Sequence, residues 1–143
     1  MPKNLRQLDV RLSVVVKYLI RTKEYVSFLI GRSGEFDEYA ASLIKRAKRE
    51  LGMENNDISL VLPYPNSKIE YYENYYDSII IPETVYGAHP KLAITLKNRF
   101  MIEKSDLVIV YAERDRGGAY SALQYAKKLN KDVIDLYIEE CCE

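Results

Sequence analysis

Apolar positions repeat in two rhythms along the 143-residue chain. Leu5, Leu8, Leu12, Val15, Val16 and Leu19 recur at steps of three and four, which predicts one amphipathic helix over roughly 4–22. "YVSFLI" (25–30) is a short run of β-formers ended by Gly31, and it predicts a buried strand. Tyr39, Ala40, Leu43, Ile44, Ala47 and Leu51 return to helical spacing over 37–51, with Gly52 at a capping position. "DISLVLPY" (57–64) predicts a second strand, stopped by Pro63 and Pro65.

The next stretch, 65–90, shows no sustained helical period. Only "SIIIP" (78–82) suggests a short strand there. A connection of that length inside a compact domain is commonly functional or poorly ordered. Pro90 suits the first turn of a third helix, running to about Lys104. "DLVIVYA" (106–112) is the clearest strand; a loop (113–118), a helix (119–130) and a last strand (131–138) follow. Strands alternating with helices imply an α/β fold, with a mostly parallel sheet between helices on both faces. The apolar runs at 25–30 and 106–112 fit strands covered on both sides. The length fits one domain over 1–143.

Composition narrows the function classes. Formal net charge is zero, with 21 basic and 21 acidic residues. A nucleic-acid polymer usually demands a basic excess, so no such partner is expected. A small phosphorylated ligand is different, because it needs only one or two cations and some backbone N–H groups. The two cysteines, Cys141 and Cys142, are neighbours. They frame neither a disulfide nor a metal site, and they suit a reducing, cytoplasmic setting. No run approaches the roughly 18 apolar residues of a membrane span, and "MPKNLRQLDV" lacks the apolar core of a signal peptide. No membrane partner, metal or cofactor is implied.

Two strand ends carry glycines and lead into helices. One is Gly31-Arg32-Ser33-Gly34-Glu35-Phe36-Asp37; the other is Arg116-Gly117-Gly118-Ala119. Parallel sheets bind ligands beyond the carboxyl ends of their strands, and helix N-termini present N–H groups suited to phosphate. Either corner equally serves as a plain turn, and Asp37 as an N-cap. Glu35 and Asp37 suit ribose hydroxyls or, alternatively, the helix dipole. Six of the thirteen tyrosines fall between Tyr64 and Tyr86. Tyrosines of this segment, Tyr64 and Tyr76 among them, suit stacking on a base, packing of the loop, or a homo-oligomeric interface. His89, the one histidine, reads as a loop residue.

The order of "G-x-x-G-x-F-D" after a strand, "LPY", the tyrosine-rich segment, "KNRFMIEKSDLVIVY" and "GG-x-x-x-A" resembles the SLOG superfamily. Within it the chain is similar to small YpsA-like proteins, from about residue 4 to residue 136. The resemblance implies a three-layer Rossmann-like fold and a nucleotide or nucleotide-derived ligand. It also implies a phosphate or carboxylate contact for Arg99, by that side chain's fork of donors. The superfamily includes the Lonely Guy phosphoribohydrolases and DprA-type proteins. Against the hydrolase pattern, Gly117 and Gly118 match, but Gln124 stands where those enzymes carry a glutamate. A glutamine cannot transfer a proton as a carboxylate does. Binding is therefore expected over turnover. A hydrolase would have to use Glu35, Asp37 or Glu113 instead, and a ligand-free homo-oligomeric module is the other alternative. YpsA-like chains also begin with a strand that would be central in a 3-2-1-4-5 sheet, and this chain opens almost directly in the helix that follows it.

Overall fold

A computed structural model describes residues 5–32, 34–112 and 117–137. The chain divides into two compact units, Met1–Lys97 and Asn98–Glu143. In the first, the elements run α1 (Leu5–Thr22), β1 (Val26–Ile30), α2 (Glu35–Leu51), β2 (Asn56–Val61), α3 (Ile69–Tyr75) and β3 (Ser78–Ile80). A short 3-10 turn, Glu83–Val85, precedes α4 (Pro90–Lys104), within which the unit boundary falls. The second unit continues with β4 (Leu107–Val110), α5 (Gly118–Lys128) and β5 (Asp132–Asp135).

Every strand pairing is parallel, as the α/β, Rossmann-like reading requires. The strands form two sheets, ordered β1-β2-β3 and β4-β5. No strand precedes α1 among the described residues. In the first sheet β1 and β2 pair from Val26↔Asn56 to Ile30↔Leu60. Both crossovers, through α2 and α3, step across the sheet in the same direction. Right-handed crossovers therefore put α2 and α3 on one face, and the Lys45 ammonium of α2, 3.7 Å from the Tyr75 ring of α3, shows them side by side.

Apolar burial holds this unit together. α1 turns Leu8, Leu12, Val16 and Ile20 inward, each at most 2% exposed, and packs against α2. α2 contributes Ala40, Ala41, Leu43, Ile44 and Ala47. Small alanines let the helices approach closely, and the polar flank adds a clasp. Tyr39 donates its hydroxyl to Asp9 at 2.6 Å, and Arg46 donates to the same carboxylate at 2.7 Å. α2 ends where Gly52 takes φ 62° and bonds back to Lys48, a left-handed cap that glycine adopts without a Cβ clash.

The second unit is smaller. Val110, Ala112 and Leu123 form its buried cluster, with Val108 and Val133 packed on it. Glu103 accepts the Tyr125 hydroxyl at 2.6 Å and joins the end of α4 to α5. Leu107, Val108 and Ile109 are only half-buried, less than their apolar run suggests.

Among the described residues β1 and β4 each pair on one side only, although both are apolar runs. The Val26 N–H bonds the Asn55 carbonyl. Along a parallel strand successive residues point their backbone groups to opposite sides. Val26, Phe28 and Ile30 therefore face β2, while Ser27 and Leu29 face away from it. The Leu136 N–H bonds the Val110 carbonyl in the same way, so Leu107 and Ile109 face away from β5.

Two predictions follow from these contacts. Gly117 holds φ +91°, whereas Gly34 is extended at φ −176°, and a Cβ would meet nothing within 4 Å at either. Gly117→Ala should cost roughly 1–2 kcal/mol through backbone strain alone, and Gly34→Ala far less, read as denaturant midpoints. The second concerns pH. Burial, then the Asp9 hydrogen bond, pushes the Tyr39 hydroxyl up to about 12. A raised folded-state pKa contributes stability that is complete below the ordinary value of 10 and is lost between 10 and about 12. Tyr39→Phe should remove that part of the alkaline fall in melting temperature; an unchanged alkaline profile would refute the clasp.

Candidate functional site

The corner after β1 opens onto a cleft of about 570 Å³. Its lining is Arg32 from the corner, Glu38 from α2, and Lys68, Tyr71, Tyr72, Tyr75 and Tyr76 from in and around α3. The sequence places Arg32 there because it lies two residues beyond the last strand residue, Ile30. α2 begins at Glu35 with Gly34 as N-cap, so Asp37 is the third helical residue and not the cap. Gly34 brings no side chain to cap the first turn, and Glu35, Asp37 and Glu38 supply its negative charge.

α3 was not legible as a helix, because tyrosine occupies both its faces. Its inward face is still helical in spacing: Tyr72 and Tyr76 are 3% and 6% exposed, while Tyr71 is 65% exposed. The rings meet edge to face, Tyr72 with Tyr76 at 6.4 Å and Tyr75 with Tyr76 at 4.9 Å between centroids.

These tyrosines fix Arg32. Its guanidinium lies 4.8 Å from the centroid of the Tyr72 ring and 2.6 Å from a Glu38 carboxylate oxygen. The Tyr76 hydroxyl also favours its charged form. Partial burial works against the charge on Arg32, but Tyr72, Glu38 and Tyr76 outweigh it and hold the pKa above its ordinary value. Burial raises Tyr76, and Arg32 opposes that rise. The result is a permanent cation in fixed orientation. Cation–π contact and a carboxylate hold its plane, and part of its donor fork stays available. Lys68 adds a second cation, exposed at the rim.

Of the expected site residues, the cleft brings together Arg32 and Tyr76. Gly31, next in the chain to Arg32, is buried and does not line the cleft. Tyr64 lines a second, apolar cleft of about 310 Å³ with Tyr86, Pro63 and Ile81. Arg99, Gly117, Gly118 and Ala119 belong to the second unit. There the Arg99 guanidinium sits 5.4 Å from the Tyr125 ring centroid. Gln124 lies on the exposed face of α5. Ser33, Arg116 and Glu113 are outside the described residues. His89 accepts the Lys91 N–H at 3.3 Å, in the manner of a cap at the start of α4.

One residue escaped the sequence reading. Lys97 is 2% exposed. Burial lowers its pKa, and the Asp37 charge opposes that fall. A buried ammonium is thus set against a carboxylate in the first turn of α2. The signal was present in the chain: Lys97 follows Ala93 by four residues on the inward face of α4.

No protein-family profile matches the chain. A curated relative, 4-hydroxy-tetrahydrodipicolinate synthase of Clostridium novyi (strain NT), is 24% identical over 127 residues, covering 85% of this chain and 42% of that protein. The chain thus spans less than half the length of that relative. A solved structure of (E)-4-hydroxy-3-methyl-but-2-enyl diphosphate reductase aligns with 95% of this chain and 54% of its own, at 11% identity and a TM-score of 0.29. A likeness at that level says nothing about fold or function. Among the described residues, no helix is long and apolar enough to cross a membrane.

Lys97 gives the fold a pH signature. Its pKa is depressed in the folded state, so the unfolded chain binds the extra proton just below the ordinary value of 10.5. Stability therefore rises with pH through that window. Lys97→Met should abolish this rise, seen as the difference between wild-type and variant denaturation curves from neutral pH to pH 10.

Proposed function

We propose that this chain is a cytoplasmic binding domain for a nucleotide or nucleotide-derived phosphorylated ligand, held in the Arg32 cleft. The observation that carries the reading is the oriented guanidinium. Arg32 stands at the carboxyl end of a parallel strand, where open α/β sheets receive ligands, and its plane is held by Tyr72, Tyr76 and Glu38. A phosphate takes the donors of that fork that Glu38 leaves available. Lys68 closes on it from the rim. Glu35, Asp37 and Glu38 offset the positive end of α2, so the cations Arg32 and Lys68 carry the charge preference. Tyr71, largely exposed beside the cleft, offers its ring face to a base, whereas the buried Tyr72 and Tyr76 orient the arginine.

Glu38 sets the affinity. Its carboxylate occupies part of the arginine fork at 2.6 Å, and an incoming phosphate competes with it. This arrangement favours a monoanionic or singly engaged phosphate over a polyphosphate. It supplies recognition and no proton-transfer pair.

Isothermal titration against nucleoside monophosphates, cyclic nucleotides and the matching nucleosides tests the reading. Phosphorylated ligands should bind and nucleosides should not. Arg32→Ala should weaken binding by about ten-fold or more, the worth of one charge-assisted hydrogen bond. Glu38→Gln should strengthen it several-fold by removing the competing charge. A folded sample that binds no nucleotide would sink the proposal.

A further inference from the structure

The charges lining the Arg32 cleft narrow the class of phosphate it accepts. Arg32 and Lys68 bring two positive charges and Glu38 one negative, a surplus of one. A Glu38 carboxylate oxygen accepts from Arg32 Nη2 at 2.6 Å and so occupies one arm of the guanidinium. The Tyr72 ring, its centroid 4.8 Å from the guanidinium carbon, fixes the plane in which the other N–H groups lie. An anion on those groups shares one planar fork with Glu38 and becomes its close neighbour. Glu35 and Asp37 add further carboxylates in the same turn of α2, and the charge of buried Lys97 is set against Asp37. Tyr71, Tyr72, Tyr75 and Tyr76 complete the lining with rings and hydroxyls.

We propose that the cleft takes its nucleotide as a phosphodiester, whose phosphate carries two ester bonds and a single negative charge. The inference rests on the nucleotide reading and specifies the ligand within it. A phosphate monoester holds close to two negative charges at neutral pH. The second charge exceeds the cleft's surplus of one and lies near the Glu38 carboxylate, where like charges repel. A diester matches the surplus. Its charged oxygens take the Arg32 donors that Glu38 leaves, with Lys68 at the rim, and its second ester arm is an uncharged group suited to the tyrosine wall. The Arg32 and Glu38 side chains are 29% and 58% exposed, so solvent screening keeps the discrimination to several-fold. A volume of about 570 Å³ suits a small ligand, and the chain's zero net charge supplies no basic excess for a diester polymer.

Isothermal titration at pH 8 compares the 5′-monophosphates of the four common ribonucleosides with their phosphate methyl esters. Each pair shares base, ribose and phosphate position and differs by one negative charge. The methyl ester should bind about five-fold tighter than the monoester, the reach of one exposed charge. Glu38→Gln, at an exposed position, should raise monoester affinity more than methyl-ester affinity and close the gap. A monoester that binds as tightly as its methyl ester, or more tightly, overturns the diester inference and leaves the nucleotide reading standing. A gap that survives Glu38→Gln overturns it too, because the discrimination then has another source. Absence of binding in both series refutes the nucleotide reading itself, and this inference with it.

Discussion

The parallel ladder between β1 and β2 is the constraint on which the rest of the first unit depends. It holds five consecutive residue pairs in register and thereby aims the chain at the end of β1. Two residues later comes Arg32. A shift of one residue in that register would turn Phe28 and Ile30 out of the core and move every following group. The same ladder uses only one side of β1.

Around the start of α2 the structure gathers charges that each need a partner. Arg32 meets Glu38 at 2.6 Å, and buried Lys97 is countered by Asp37. Both carboxylates come from the first turn of α2, where the helix dipole favours negative charge. Two cations from distant points of the chain thus converge on one helix terminus. Burying an ammonium is unfavourable unless it is compensated. Keeping Lys97 in the core therefore ties α4 to α2 by charge. The tyrosines of α3 serve Arg32 in a complementary way: they lend ring faces and a hydroxyl without adding a second full charge.

How far the chain could be read depended on periodicity. α1, α2, β1, β2, β4 and α5 are each dominated by one rhythm of apolar residues or by Gly and Pro punctuation, and the observed bounds fall within a few residues of the expected ones. α3 was hidden because tyrosine is amphipathic. With Tyr71 outside and Tyr72 and Tyr76 inside, hydrophobic spacing carries no contrast. Lys97 was hidden because a lysine is ordinarily exposed, and only its position after Ala93 argued otherwise. Of the two glycine corners, the sequence singled out both. The geometry gives the first a cleft, a fixed cation and a tyrosine wall.

The sequence by itself determined the α/β class, the parallel alternation, the capping glycine of α2 and Arg32 as a residue at a strand end. These are local matters of period, chain stiffness and turn chemistry, which neighbouring residues decide. Only the tertiary structure decided that Tyr72 and Tyr76 would orient that arginine, that Glu38 would share it, and that Lys97 would be buried. Each of these depends on groups 6 to 60 positions apart, brought together by helix crossovers and strand pairing. No local rhythm encodes such distances, because burial and charge compensation are settled only once the sheet has assembled.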